Sequence, residues 1–398
     1  MTPARTREPF VGTRPTLSPA DLFGGARRRL PEPLDGHQVT FHVKARNALW
    51  HVVRALALEP QETVLVSSYN CGAELDGVLK APAAVRFYRV DRSARVDVDD
   101  LRRAVDRRTR AVLVTHFFGF PDPHLPAIVE LCQDRGLFLI EDCAHALYST
   151  RDGRPLGTLG DAAVFSLWKT LPVPDGGAAL LRGGADRRGP LVSPPLAPTL
   201  RALRYGVEAH LLFRFGRAGA TVNAVADAGV RVAGAAARSV RRRSRPAPPA
   251  AEPGLNPHVT FNPATAAWSM SDPSRRILAR SRHREIVQRR RRNYAFLARE
   301  LAAVRGTRLL RPELPDGVCP VALPLVVEEP ESLLHALAGA SIGAELFWSD
   351  FHPAFPAREF PDSAYLKTHV VALPIHQDLD PRLLARVARV VEQWARER

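Results

Sequence analysis

The chain has 398 residues, 45% of them hydrophobic, and a formal charge of +15. That length accommodates one large core and a smaller one, and the composition is that of a globular chain, not a disordered or fibrous one. Four cysteines, at 71, 132, 143 and 319, are too few and too irregularly spaced for a disulfide scaffold, and no Cys-x-x-Cys or cysteine-histidine pair suggests zinc, so no metal site is expected.

Residues 1–37 are rich in Pro, Arg and Gly without periodicity and are expected to form an irregular N-terminal arm. The first 22 hold no apolar run long enough for a signal peptide or a membrane span, so a cytoplasmic protein in a reducing compartment is expected. From residue 45 onward, helical patterns alternate with short apolar runs. Helices are expected at 45–56, 74–79, from 99 and at 125–134, and strands at 63–66, 85–90, 111–114 and 137–140. Such alternation argues for βαβ crossovers and a mostly parallel sheet covered on both faces.

Two further strands are expected at 162–167 and 177–181. Residues 190–255 are less patterned, with an Ala/Val/Arg-rich helical stretch at 209–243, the basic cluster 241–245 and four prolines in 246–253. This segment reads equally as a lid, an interface element or a surface insertion. A long helix at 272–301, strands at 321–327 and 370–373 and a closing helix at 381–396 predict a smaller α+β unit. The division expected is an arm at 1–37, a large α/β domain at 38–260 and a small C-terminal α+β domain at 261–398, with no internal repeat.

Arginine supplies 52 of the 56 basic residues, and only Lys44, Lys80, Lys169 and Lys367 are lysines. A lysine is most informative where a proton must be lost and a carbonyl attacked, which guanidinium cannot do. Lys169 stands in Phe165-Ser166-Leu167-Trp168-Lys169-Thr170, just before Gly176-Gly177. Its context sets it apart from the other three, whose survival is ascribed to chance. Upstream, Ile140-Glu141-Asp142-Cys143-Ala144-His145 puts an acidic pair at the C-terminal end of a buried strand, where parallel α/β sheets expose ligand-binding residues. A lysine for an aldehyde and an aspartate for a ring nitrogen suit pyridoxal phosphate. An aspartate at a strand end is also commonly a helix cap or loop anchor.

A strand-end Asp, a nearby His, the turn Gly157-Thr158-Leu159-Gly160-Asp161, Phe165-Ser166, Lys169 and Gly176-Gly177, in that order, resemble the DegT/DnrJ/EryC1/StrS family of sugar aminotransferases. Further segments extend the likeness over most of the chain: Lys44-Ala45-Arg46-Asn47-Ala48-Leu49, Ser67-Ser68-Tyr69-Asn70-Cys71, His116-Phe117-Phe118-Gly119, Phe261-Asn262, Arg290 to Tyr294 and Leu373-Pro374-Ile375-His376.

The resemblance implies a pyridoxal phosphate-dependent transferase of fold type I: a large domain with a mostly parallel seven-stranded sheet, a smaller C-terminal α+β domain, and a homodimer whose sites are completed across the subunit boundary. It implies that Lys169 is the catalytic lysine holding the cofactor as a Schiff base and that Asp142 bonds the ring nitrogen. By the same likeness, His145 lies near the phenolic oxygen and Ser166 binds phosphate, with Thr170 as an alternative hydroxyl. Arg46 and Asn47 sit where the family's helix N-terminus grips the phosphate, Tyr69 supplies a stacking face where Cys71 replaces an aromatic, and Asn262 reaches a phosphate across the dimer.

Two departures stand out. Ser166 and Lys169 are three positions apart where the family usually has five, so the turn is reshaped. A related subgroup that dehydrates sugars has histidine in place of the lysine, and keeping Lys169 favours amino transfer. The activity implied is transfer of an amino group from glutamate or glutamine to a keto-sugar, nucleotide-linked, in sugar or polysaccharide biosynthesis. A keto-cyclitol or smaller carbonyl acceptor, and a non-catalytic basic protein that binds nucleic acid or anionic lipid on the same fold, are the competing readings.

Overall fold

The computed structural model describes residues 9–183, 190–216, 218–222 and 260–398. Seven strands form the main sheet: β1 (Val39–His42), β2 (Thr63–Ser67), β3 (Ala84–Tyr88), β4 (Thr109–Thr115), β5 (Phe138–Cys143), β8 (Ala162–Ser166) and β9 (Gly177–Leu181). Between β5 and β8 lies a small hairpin, β6 (Thr150–Arg151) and β7 (Arg154–Pro155), whose turn residues Asp152 and Gly153 both have positive φ, as a tight two-residue hairpin turn requires. The sheet order is β1-β9-β8-β5-β4-β2-β3. Strands β8, β5, β4, β2 and β3 run parallel, and β9 and β1 close one edge antiparallel.

Both faces of this sheet are buried, and side-chain alternation divides its residues between two cores. Leu65, Val112, Val114, Leu139 and Phe165 belong to one apolar cluster. Their chain neighbours Val64, Val66, Leu113, Ile140 and Val164 belong to the other. Each fully buried Val, Leu or Phe contributes roughly 1.5–3 kcal/mol of transfer free energy. That double burial is why the strands read as continuous apolar runs.

A second sheet, order β10-β11-β13-β12, is antiparallel and consists of β10 (Thr307–Leu309), β11 (Leu323–Val327), β12 (Glu345–Leu346) and β13 (Val370–Leu373). The closing helix Pro381–Arg396 is capped by Asp380, whose side chain accepts from Leu383 N, and turns Leu384, Val387, Val391 and Trp394 inward at helical spacing.

Three expectations are adjusted. The helix foreseen at 272–301 is two helices, Asp272–Arg280 and His283–Leu301, broken at Ser281 and Arg282. The arm contains a short helix, Pro19–Phe23, held by a capping box between Ser18 and Asp21. Val39–His42, given no element by the sequence, is the edge strand β1. In the unpatterned region, Leu196–Phe215 is helical. The basic cluster 241–245 and the prolines of 246–253 lie outside the described residues.

The arm is strapped to the second sheet's side of the molecule. Val11 bridges Ile342, Val11 N donates to Ser341 O (3.0 Å), Gly343 N donates to Val11 O (2.6 Å), and Thr16 N donates to Asp378 Oδ2 (2.7 Å). No helix among the described residues is long and apolar enough to cross a membrane.

Candidate active site

A cleft of about 550 Å³ opens at the C-terminal ends of β4, β5 and β8, where Thr115, Asp142 and Ser166 line it. The volume is within the range of small-molecule sites. Residues 344–350 and 372–374, from the second sheet and its loops, form the opposite wall, and the arm contributes Thr13 and Arg14.

After β8 the chain makes a single 3₁₀ turn, Leu167–Lys169, which brings Lys169 into the cleft. Its Nζ lies 2.8 Å from His145 Nε2. His145 Nδ1 accepts from Phe118 N (3.2 Å), which fixes the ring beside the lysine. Burial, then the Lys169 charge, push the His145 pKa well below its ordinary value, so the ring stays neutral. The back of the lysine turn is clamped by Arg290, fully buried on the helix His283–Leu301. Its guanidinium donates to Thr170 O (3.3 Å) and Val321 O (3.1 Å), while Gln377 accepts from its Nε (2.9 Å) and donates to Thr170 O (3.1 Å). On the same helix, Asn293 Nδ2 donates to Ile375 O and His376 O, so the two late sequence motifs meet.

Asp142 accepts from Ala144 N (2.9 Å). Burial, reinforced by the Glu74 charge, raises its pKa to about 6, against the lowering influence of Ala144 N, Lys169 and His116. Among the described residues no basic group stands within ion-pair distance of this carboxylate, although it lines the cleft. A protonated ring nitrogen is the kind of partner it lacks.

Its neighbour Glu141 faces the other way. The Glu141 carboxylate accepts from the amides of Gly157 (2.9 Å), Leu159 (2.7 Å) and Gly160 (2.7 Å) and pairs with His116 Nε2 (3.0 Å). Burial works to raise its pKa, but His116 and the amides outweigh it and hold the group below the usual carboxylate range. Gly157 itself has φ +86, and a Cβ there would run into Phe165.

The helix Ala45–Ala55 begins over β9, and the contact is backbone on backbone: a Cβ on Gly177 would collide with the Lys44 carbonyl and the Ala45 nitrogen. Gly177 is also the register partner of Ser166 and of His42. The result is a concavity holding the first amides of a helix, a buried serine and the cations Lys44 and Arg46, which is a phosphate-binding chemistry.

Of the residues singled out by sequence, Lys169, Asp142, His145, Ser166 and Arg46 line this one cleft. Arg46 also donates to Thr260 O (2.7 Å). Asn47, Tyr69 and Asn262 are not among its lining residues. Asn47 donates to Thr265 O, Tyr69 is buried with its hydroxyl donating to Phe347 O, and Asn262 caps a short 3₁₀ turn through Ala264 N. Tyr69, expected to supply a stacking face, is set back from the cleft lining. Behind it, Trp348 packs at 5.1 Å from the Tyr69 ring and 5.0 Å from the His145 ring, lining the cleft 6.0 Å from Lys169 Nζ. Trp348 has φ +58, a strained conformation for a bulky residue.

Sequence reasoning missed Trp348 and Lys367. Lys367 is not a chance survivor: it is fully buried and donates to Asn70 O (2.5 Å), Asp350 O (2.7 Å) and Trp348 O (2.9 Å), bolting the Trp348 loop to the turn after β2. The scarcity of lysine was the available signal.

Residues 36–186 match the model of the DegT/DnrJ/EryC1/StrS aminotransferase family. The chain is 33% identical over 186 residues to the dTDP-4-dehydro-2,3,6-trideoxy-D-glucose 4-aminotransferase of Saccharopolyspora spinosa, covering 43% of this chain and 48% of that one. It is 31% identical over 140 residues to the GDP-perosamine synthase of Vibrio cholerae, covering 35% and 38%. These matches span about half or less of the relatives' length. Over nearly the full chain, the fold is that of the aminotransferase TlmJ from Streptoalloteichus hindustanus, with TM-score 0.67, 21% identity and coverage of 98% and 99%. The architecture is fold type I.

Proposed function

We propose, from the match of residues 36–186 to the model of the DegT/DnrJ/EryC1/StrS aminotransferase family, that the chain is a pyridoxal phosphate-dependent aminotransferase. It moves an amino group from glutamate or glutamine to a keto-sugar, nucleotide-linked. The observation that carries this reading is the meeting of Lys169, His145 and the unpaired carboxylate of Asp142 in one cleft at the strand ends. The curated relatives named above act on sugar nucleotides, which supports the acceptor class.

The cofactor, when bound, supplies a ring that withdraws electrons from the carbon losing its proton. Everything else is the work of this chain. Asp142, ionised above about pH 6, holds the proton on the ring nitrogen. Lys169 Nζ, the one lysine amine beside His145 in the cleft, would be the group that holds the cofactor aldehyde and, when free, the base that moves a proton. His145, neutral and fixed through Phe118 N, orients Lys169 and would lie on the cofactor's side of the lysine. Ser166, the first amides of the helix Ala45–Ala55 and the nearby cations hold the phosphate.

A homodimer and a cytoplasmic setting belong to the same proposal. The apolar side chains left exposed on the helix Leu196–Phe215, among them Leu196, Leu200 and Phe215, support a second copy against it.

The test is the absorbance of the purified protein in the near ultraviolet and visible, followed by glutamate-dependent conversion of a panel of keto-sugar nucleotides. A protein that takes up no pyridoxal phosphate sinks the proposal. One that takes it up but aminates only keto-cyclitols or small carbonyl compounds moves the acceptor class.

A further inference from the structure

The arm segment that lines the cleft carries Arg14, whose guanidinium has no hydrogen-bond acceptor and no ion-pair partner among the described residues. Arg14 lies with its guanidinium carbon 3.7 Å from the centre of the Trp168 indole, and Trp168 is the residue before Lys169. At that distance the guanidinium sits on the indole face in cation-π contact, which holds the charge in place without spending its N–H donors. Among the described residues none of those donors has a hydrogen-bond acceptor, and no carboxylate lies within 4.0 Å. Burial lowers the Arg14 pKa from its ordinary value, and Glu345, in the same cleft wall, opposes that lowering but stands beyond ion-pair distance.

The other arginines near the lysine are differently placed. Arg290 spends its donors on four carbonyls and Gln377, and Arg46 is bonded to Thr260 O. Arg14 is accessible, stacked and unspent, and its backbone is fixed by the contacts of Val11 and Thr16 on either side. A guanidinium fork held in place is a two-bond donor site for an oxyanion.

We infer that Arg14, held on Trp168, is the oxyanion-binding residue of the substrate side of the cleft, pairing through two parallel N–H bonds with a carboxylate or phosphate. The inference deepens the aminotransferase reading and rests on it for the identity of the oxyanion, which is either the carboxylate of the amino donor or the diphosphate of the acceptor. Both present two oxygens to a planar fork.

The experiment is calorimetric titration of the purified protein with two probes taken separately, 2-oxoglutarate and dTDP, in wild type, R14Q, R14K and W168F. R14Q is expected to weaken one probe at least tenfold with the melting temperature unchanged. R14K is expected to recover only part of that affinity, because a single ammonium does not reproduce the fork. W168F, which keeps an aromatic face, is expected to stay within about threefold of wild type, since cation-π attraction to Phe is only modestly weaker. Loss for 2-oxoglutarate assigns the donor carboxylate, and loss for dTDP assigns the diphosphate. Equal affinity of R14Q and wild type for both probes, or a wild type that binds neither, overturns the inference. Because binding is read without turnover, an Arg14-dependent oxyanion site in a protein that aminates nothing would leave this inference standing and remove the catalytic one.

Discussion

Glu141 and Asp142 are consecutive on β5, yet their carboxylates serve opposite faces of the sheet: Glu141 gathers three amides and His116 inside the protein, while Asp142 faces the cleft with no basic partner. Strand pleating alone separates the two roles. Neighbouring acids of the same charge therefore differ in pKa direction, one held down by its donors and the other raised by burial.

Glu141 is the residue whose loss is felt by the fold. E141A leaves His116 and the amides of Gly157, Leu159 and Gly160 without their acceptor, at a cost on the order of 3–5 kcal/mol. Thermal or urea denaturation is expected to show that loss in the cofactor-free protein. A melting temperature equal to wild type would mean that water replaces the carboxylate.

Asp142 governs pH behaviour. Its native pKa of about 6 exceeds the ordinary 3.8, so between these values the native state holds a proton that the unfolded chain has lost. Its contribution to stability is therefore full at the acid end and declines as pH rises through 6. Cofactor affinity runs the other way, because only the ionised carboxylate pairs with a protonated ring nitrogen. Titrations of the cofactor-free protein from pH 5 to 7.5 are expected to show tightening in wild type and a flat, weaker profile in D142N.

Covalent attachment is placed at Lys169. Borohydride reduction followed by peptide mass analysis is expected to add the cofactor at that residue. K169A is expected to lose both the adduct and amino transfer, by several orders of magnitude in the latter. Label found on Lys44 or Lys367 instead would move the reaction centre.

Gly177 tests the phosphate concavity. G177A pushes a methyl group into the Lys44–Ala45 backbone, so the start of the helix Ala45–Ala55 must shift. A weakened affinity for pyridoxal phosphate, together with a smaller change for its dephosphorylated form, is the expected pattern. Equal losses for both would place the phosphate elsewhere.

Burial lowers the Lys367 pKa to about 8, with Glu74, Cys71 and Asp350 opposing. Between that value and the ordinary 10.5 the unfolded chain holds the extra proton, so this group's contribution to stability rises with pH across the window. K367M leaves three carbonyls without their donor, worth roughly 1–3 kcal/mol each. Wild type is expected to be the more stable at pH 8, with the margin widening toward pH 10. A constant margin would mean that Lys367 does not titrate there.

Much of the sheet was legible because burial on both faces writes strands as apolar runs; residues 177–181 and 370–373 coincide with β9 and β13. β1 was not legible, since four residues at an edge, only one of them buried, carry little pattern. The break at Ser281 was hidden because helical periodicity continues on both sides of it. In the cleft, the order of Asp142, His145, Ser166 and Lys169 was readable, as each is chemically distinctive within thirty residues. Trp348 and Lys367 were not, because their role arises from a loop folding back across the chain from nearly two hundred residues away. Arg14 was invisible among so many arginines.

The strap formed by residues 11–16 has a consequence for the order of events during synthesis. Residues 11–16 dock on Ile342 and Asp378, which are made only after the whole of the parallel sheet. The parallel sheet with its lysine is complete long before its covering arm has anywhere to bind, so a nascent chain passes through a stage with an open, unroofed basin. Anything that occupies that basin early meets the large sheet alone.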